Sequence, residues 1–223
     1  TGVQTCALPI CGFGGNLWQG FLTLFLVENE NAYSLACELR GDAKASVTAI
    51  AKHDFAILLE YFQFDLERLL TFFDVDCKEA VLAYEAGDGH VFGGEVKEGL
   101  AALYRSLARA ADAEEFCAEV TRFYQRFGVG ALGLHRAFGI EDCGEDVRIL
   151  PLGLTGGEQL CDVIGYESAK KKLVENTESF LNGRRANNCL LYGVAGTGKS
   201  TSVKALANHY YGRGLRIIEE IGR

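Results

Sequence analysis

The chain has 223 residues, 48% of them hydrophobic, with a mean hydropathy of +0.06 and a formal net charge of −8. This composition supports a packed core and excludes a disordered chain, and the acidic balance argues against a general nucleic-acid surface, which needs a basic stripe. Phe21–Val27 is far shorter than the roughly 20 apolar residues of a membrane span, so no membrane partner is expected.

Thr1–Ile10 reads, at ten of ten positions, as one frame of a common sequencing adapter, and Ile221-Gly222-Arg223 reads as the end of its reverse complement. Residues 1–10 and 221–223 are therefore set aside as adapter-derived. The codons of Cys11 and Glu220 are shared with adapter, and Gly12–Glu219 is expected to be an internal piece of a longer protein.

Residues 11–140 read as a helical N-terminal domain, broken by Gly and Asp rather than by strand-like alternation. Two segments are clear: Val96, Leu100, Leu103 and Leu107, then Phe116, Val120, Phe123 and Phe127, each step by three or four and predict one apolar stripe on a helix. Leu17–Val27, Ala32–Leu39, Ala43–Ala51, Asp54–Phe62 and Leu66–Phe73 are less regular helices, and Gly87–Gly94 marks a loop. Gly128-Val-Gly-Ala-Leu-Gly133 spells G-x-G-x-x-G, yet it follows a helix where a dinucleotide fingerprint must follow a strand. A turn between two helices is the better reading, with a short helix running through His135 and Phe138. His53, His90, His135 and His209 are scattered, and solvated or capping roles are expected for them.

Glycines and acidic residues around Pro151 predict a linker over 141–160, with a short extended piece at Val147–Leu152. The segment 161–220 then reads as the start of a nucleotide-binding domain. A helix is expected over Ala169–Leu181, with Leu173, Val174, Thr177, Phe180 and Leu181 on one face and Lys170, Lys171 and Lys172 on a solvated one. Asn188–Tyr192 is a short apolar run suited to a buried parallel strand.

Gly193-Val194-Ala195-Gly196-Thr197-Gly198-Lys199-Ser200 then matches G-x-x-x-x-G-K-[ST] completely. A glycine-rich turn that ends in a helix start aims several backbone N–H groups at one point, where the positive end of the helix dipole adds to them. Lys199 supplies an ammonium for the β- and γ-phosphates, Ser200 completes the shell of a Mg²⁺ ion, and Thr201 follows on the same turn. Val203, Leu206, Ala207 and Tyr210 form one face of the following helix, which Gly212 is expected to stop, and Leu215–Glu219 is expected to be a strand. ATP and Mg²⁺ are the expected cofactors.

Cys37, Cys77, Cys117, Cys143, Cys161 and Cys189 include no C-x-x-C pair, so metal-site spacing is absent. An ATP-binding protein works where thiols stay reduced, and buried free cysteines are expected. The forty-residue steps from Cys37 to Cys77 to Cys117 are coincidence, because their flanks share nothing else.

Asp162-Val163-Ile164-Gly165-Tyr166-Glu167, ENTESFLNG, ANNCLLYGVAGTGKS and the closing GLRIIE resemble the bacterial AAA-type P-loop ATPases catalogued only as a domain of unknown function. WQGFLTLFLVENENAYSLACEL and GVGALGLHRAFGI are similar to that family's N-terminal helical part and pre-linker segment, so the resemblance spans the native chain. Members often carry an acidic residue where this chain has Val194, a variable loop position.

The resemblance implies a mainly α N-terminal region plus the truncated start of an α/β P-loop domain of AAA type. It makes Val163, Ile164 and Gly165 the adenine-side contacts and Lys199 the catalytic lysine. It also implies a cytoplasmic parent that is a Mg-dependent ATPase acting on or loading a macromolecular partner, with homo-oligomer formation in the full-length protein. Hydrolysis in such ATPases needs a Walker B strand, a sensor and an arginine finger, none of which this sequence contains. The chain is therefore expected to bind nucleotide weakly without turning it over. The alternatives are a nucleotide-dependent switch that hydrolyses little or not at all, and an adaptor whose helical domain works independently of ATP.

Overall fold

The computed structural model describes residues 14–76, 78–85, 92–142, 147–152 and 157–220. They divide into two compact units, Thr1–Leu134 and His135–Arg223. The adapter-like ends, Cys77, Cys143 and most of the expected Gly87–Gly94 loop lie outside the described residues.

The first unit is helical: α1 Leu17–Glu28, α2 Ala32–Arg40, α3 Ala45–Phe62, α4 Leu66–Phe72, α5 Lys78–Leu82, α6 Gly94–Leu107, α7 Ala113–Phe127 and α8 Gly130–Leu134. Helix starts follow side-chain chemistry. Asn16, Asn31 and Asp112 each accept hydrogen bonds from two N–H groups of the turn they open, and Ser34 Oγ accepts in return from the Asn31 N–H to complete a capping box. Both predicted stripes are core: Val96, Leu100, Leu103 and Leu107 of α6 and Phe116, Val120, Phe123 and Phe127 of α7 are all buried. Burying side chains of this size contributes about 1.5–3 kcal/mol each before chain entropy is subtracted. The buried Tyr124 hydroxyl donates to the Leu26 carbonyl at 2.7 Å, which fixes α7 against α1 without leaving an orphaned polar atom.

One expectation changes here and one holds. Ala43–Ala51 and Asp54–Phe62 are one helix, α3, because Lys52 and His53 are tolerated on an exposed face while Ala51, Phe55, Leu59 and Phe62 form one continuous buried stripe. The G-x-G-x-x-G stretch is a helix–helix turn whose glycines answer to packing. A Cβ on Gly133 would lie 2.5 Å from the Gly128 carbonyl carbon, and Gly128 itself has φ 86°.

In the second unit, the strands β1 Ala137–Asp142, β2 Val147–Leu152 and β3 Ile217–Glu220 form a three-stranded sheet in the order β2-β1-β3. The β1–β2 pair is antiparallel, with Ile140 opposite Ile149, and β1–β3 is parallel, with Ala137 opposite Ile217. The chain is thus mainly α, followed by an α/β unit. The unit boundary falls after Leu134, and both strands of the hairpin overlap the stretch assigned to the domain edge and linker. Ala137 and Phe138 open β1 instead of continuing a helix, because their backbone groups are taken up by β2 and β3.

Helix α9, Glu167–Leu181, and helix α10, Lys199–Tyr210, flank the phosphate-loop sequence. The Tyr210 hydroxyl donates to Glu178 at 3.0 Å and ties α10 to α9. Gly212 does not stop α10. A 3₁₀ turn, Tyr211–Arg213, follows directly, and Gly214 with φ 90° ends it. Tyr211 is buried with the guanidinium carbons of Arg216 and Arg136 4.1 and 4.9 Å from its ring centre. His135 is half-buried beside Phe138 rather than solvated, and burial pulls its imidazole below the usual value. Cys37 and Cys117 are buried free thiols, whereas Cys161 and Cys189 are exposed.

Candidate nucleotide site

The loop 193–198 is shaped by its glycines. Gly193, Gly196 and Gly198 have φ of 149°, 81° and 78°, all in the region closed to ordinary side chains. Gly198 is the N-cap of α10 and offers no side-chain cap, so the N–H groups of the first turn are left to an outside acceptor. A Cβ built on Gly196 meets nothing within 4 Å, so the loop is open at its apex. An anion seated there would receive backbone N–H groups and the positive end of α10 together.

Side chains complete the loop. The Lys199 ammonium donates to the Gly193 carbonyl at 3.0 Å and the Val194 carbonyl at 2.8 Å, so the loop's own oxygens hold the charge at its mouth. The Thr197 hydroxyl donates to the Val194 carbonyl at 2.9 Å. Ser200 and Thr201 stand in the first turn of α10, with Ser200 exposed, and Val194 and Ala195 are exposed on the loop.

Beside the loop lies a cavity of about 190 Å³ lined by Val163, Tyr166, Lys170, Leu173, Tyr192 and Lys199 among others. Of the three expected adenine-side residues, Val163 is buried, with its Cγ1 atom 3.8 Å from where a Cβ on Gly198 would stand. Gly165 turns the chain with φ 83°. Ile164 is 90% exposed and does not line the cavity.

Lys170 departs from the expected solvated face. Its side chain is only 20% exposed, and its ammonium donates to the Val163 carbonyl and to Glu167 Oε1, each at 3.0 Å. Sequence reading missed this role because a run of three lysines carries no sign of which one turns inward.

The apolar run 188–192 also departs from expectation. It lies in no strand, and Leu190 and Tyr192 are 84% and 86% exposed. Among the described residues no strand pairs with it. Its anchor is one side chain: Asn176 accepts from the Asn187 N–H at 2.9 Å and donates to the Asn187 carbonyl at 2.8 Å. On α9, Phe180 is 63% exposed, so the expected apolar face is only partly covered.

Residues 135–222 match the model of a family described as "Protein of unknown function (DUF815)", a span that nearly coincides with the second unit. The chain is also similar to a replication factor C large subunit of Staphylothermus marinus, with 43% identity over 63 residues, covering 28% of this chain and 14% of that protein. A replication factor C large subunit of Methanococcus maripaludis is 42% identical over 53 residues, covering 24% of this chain and 11% of that protein. The chain therefore spans only a small part of the length of these curated relatives. No solved structure matches it.

Proposed function

We propose that the second unit binds MgATP through Gly193–Thr201 and belongs to an AAA-type ATPase. The observation that carries this reading is the phosphate loop itself: three glycines at positive φ lead into α10 with no side-chain cap, and Lys199 stands at the mouth. The partial similarity to replication factor C large subunits adds support, and so does the family match over the same unit. The loop amides and Lys199 would hold the β- and γ-phosphates, Ser200 would face the metal, and the Val163–Gly165 turn would border the base. Mg²⁺, when bound, would neutralise phosphate charge and orient the terminal phosphoryl group. Lys170, by holding the Val163 carbonyl, keeps that turn against the loop.

On this reading the parent works in the cytoplasm, forms homo-oligomers and uses ATP to act on or load a macromolecular partner. Among the described residues no helix is long and apolar enough to cross a membrane. The test is titration of fluorescent ATP with and without Mg²⁺, followed by anisotropy. Lys199→Ala removes charge-assisted hydrogen bonds worth about 1.5–3 kcal/mol, so its Kd should rise at least tenfold, and Ser200→Ala should lose the Mg²⁺ dependence. A Lys199→Ala chain that binds as tightly as the parent would refute the assignment.

A further inference from the structure

The first unit carries a surface that nucleotide binding does not use. Helix α1 has no charged residue from Leu17 to Val27, yet Phe21 and Phe25 are 43% and 46% exposed. Trp18, Phe21 and Phe25 form a continuous stacked row with ring centres 5.9 and 6.3 Å apart. Phe25, the last of that row, lines one side of an open groove of about 570 Å³. On α3, Val47, Ile50, Ile57 and Leu58 line it together with the buried Ala51 and Phe55, while Leu59 and Phe62 are buried outside it. Ile50 and Ile57 are 65% and 41% exposed. Tyr33 and Tyr124 are themselves buried and also line the groove. A contiguous apolar surface of this kind marks a contact site.

Charge selects the occupant. Residues 1–134 hold 19 acidic and 10 basic side chains, whereas residues 135–223 hold 11 and 12, so the acidic character of the chain belongs entirely to the helical unit. Asp54 is the charged residue among those lining the groove. Surplus negative charge repels a nucleic acid, and it repels a second copy of the same unit. Val47 to Leu58 covers about three helical turns at 1.5 Å per residue.

We infer that the α1–α3 groove is the docking site for a basic amphipathic helix of a partner protein. Such a helix would place apolar residues at i, i+3/i+4 and i+7 between Phe25 and Ile57 and its Lys or Arg residues towards Asp54 in the unit's net negative field. The partner's apolar side chains supply affinity, and Asp54 with the surrounding field supplies selection by sign.

The probe is a fluorescein-labelled 16-residue helix with leucines at that spacing and lysines elsewhere, titrated into the full chain and compared with a glutamate version of the same apolar pattern. The lysine peptide should bind at least tenfold more tightly than the glutamate one. Ile57→Asp should weaken it about tenfold, and Asp54→Lys should narrow or reverse the preference. Both positions are solvent-facing, and circular dichroism of the two variants confirms that they fold. Equal binding of both peptides, no binding of either, or a lysine-peptide affinity unmoved by Ile57→Asp would overturn the inference. So would sedimentation showing a dimer that Ile57→Asp dissociates, because the groove would then belong to a second copy.

Discussion

Replacing Asn176 by Ala removes the anchor of the phosphate-loop approach. One amide side chain holds both backbone groups of Asn187, with bonds of 2.9 and 2.8 Å, and its nitrogen lies 3.2 Å from the Cys189 sulfur. This imitates the pair of bonds that a neighbouring strand would supply. Each such bond stabilises by about 0.5–1.5 kcal/mol net, and the site is exposed, so the two together hold the segment closed by about 1–2 kcal/mol. That is a factor of roughly 5–30 in local opening. Hydrogen exchange followed by mass spectrometry on peptides covering 187–193 should accelerate by that factor in Asn176→Ala, while α6 and α7 stay protected. The Kd for ATP should rise by no more than the same factor, since a loosened loop must be ordered again on binding. Asn176→Asp keeps an acceptor for the Asn187 N–H but sets a carboxylate against the Asn187 carbonyl, and it should not restore protection. Unchanged exchange in Asn176→Ala, or full protection in Asn176→Asp, would show that the anchor lies elsewhere.

Three further outcomes follow from packing and burial. Gly133→Ala forces a Cβ to 2.5 Å from backbone and should lower unfolding free energy in urea by about 1–3 kcal/mol. Gly41→Ala meets nothing within 4 Å but must hold φ 83°, and it should cost only about 1 kcal/mol. His135 titrates below its ordinary value of 6.5 because burial disfavours the charged ring. The unfolded chain therefore binds the proton first, and the second unit should lose stability as pH falls from about 6.5 towards the lowered folded pKa. The stability difference between pH 7.5 and pH 5.5 should shrink in His135→Asn, and an identical difference in both chains would remove His135 from the account.

Where a stretch of sequence carries its own period, the structure was legible. The stripes of α6 and α7, the extended piece at Val147–Leu152 and the positive-φ glycines of the loop 193–198 are local patterns with local causes. β1 was not legible. Ala137-Phe-Gly-Ile-Glu-Asp142 is short and carries a glycine, and it is a strand because β2 and β3 satisfy its backbone from both sides. The run 188–192 gives the opposite lesson: its composition suits a buried strand, but composition cannot provide the neighbours that would make it one. Lys170 was hidden for a third reason, since the turn that brings Val163 beside it depends on the tertiary course of the chain.

The parallel pairing of β1 with β3 joins Ala137 to Ile217, eighty residues further along the chain. That closure encloses α9, the phosphate loop and α10, and bringing such distant ends together opposes folding by about 4 kcal/mol of loop entropy. At roughly 5–20 residues per second on the ribosome, the free edge of the β1–β2 hairpin, complete at Leu152, waits about 3–14 seconds for β3. During that interval Ala137, Phe138 and Ile140 form an unpaired apolar edge. During synthesis this hairpin edge is thus the part of the second unit's sheet open to wrong pairing.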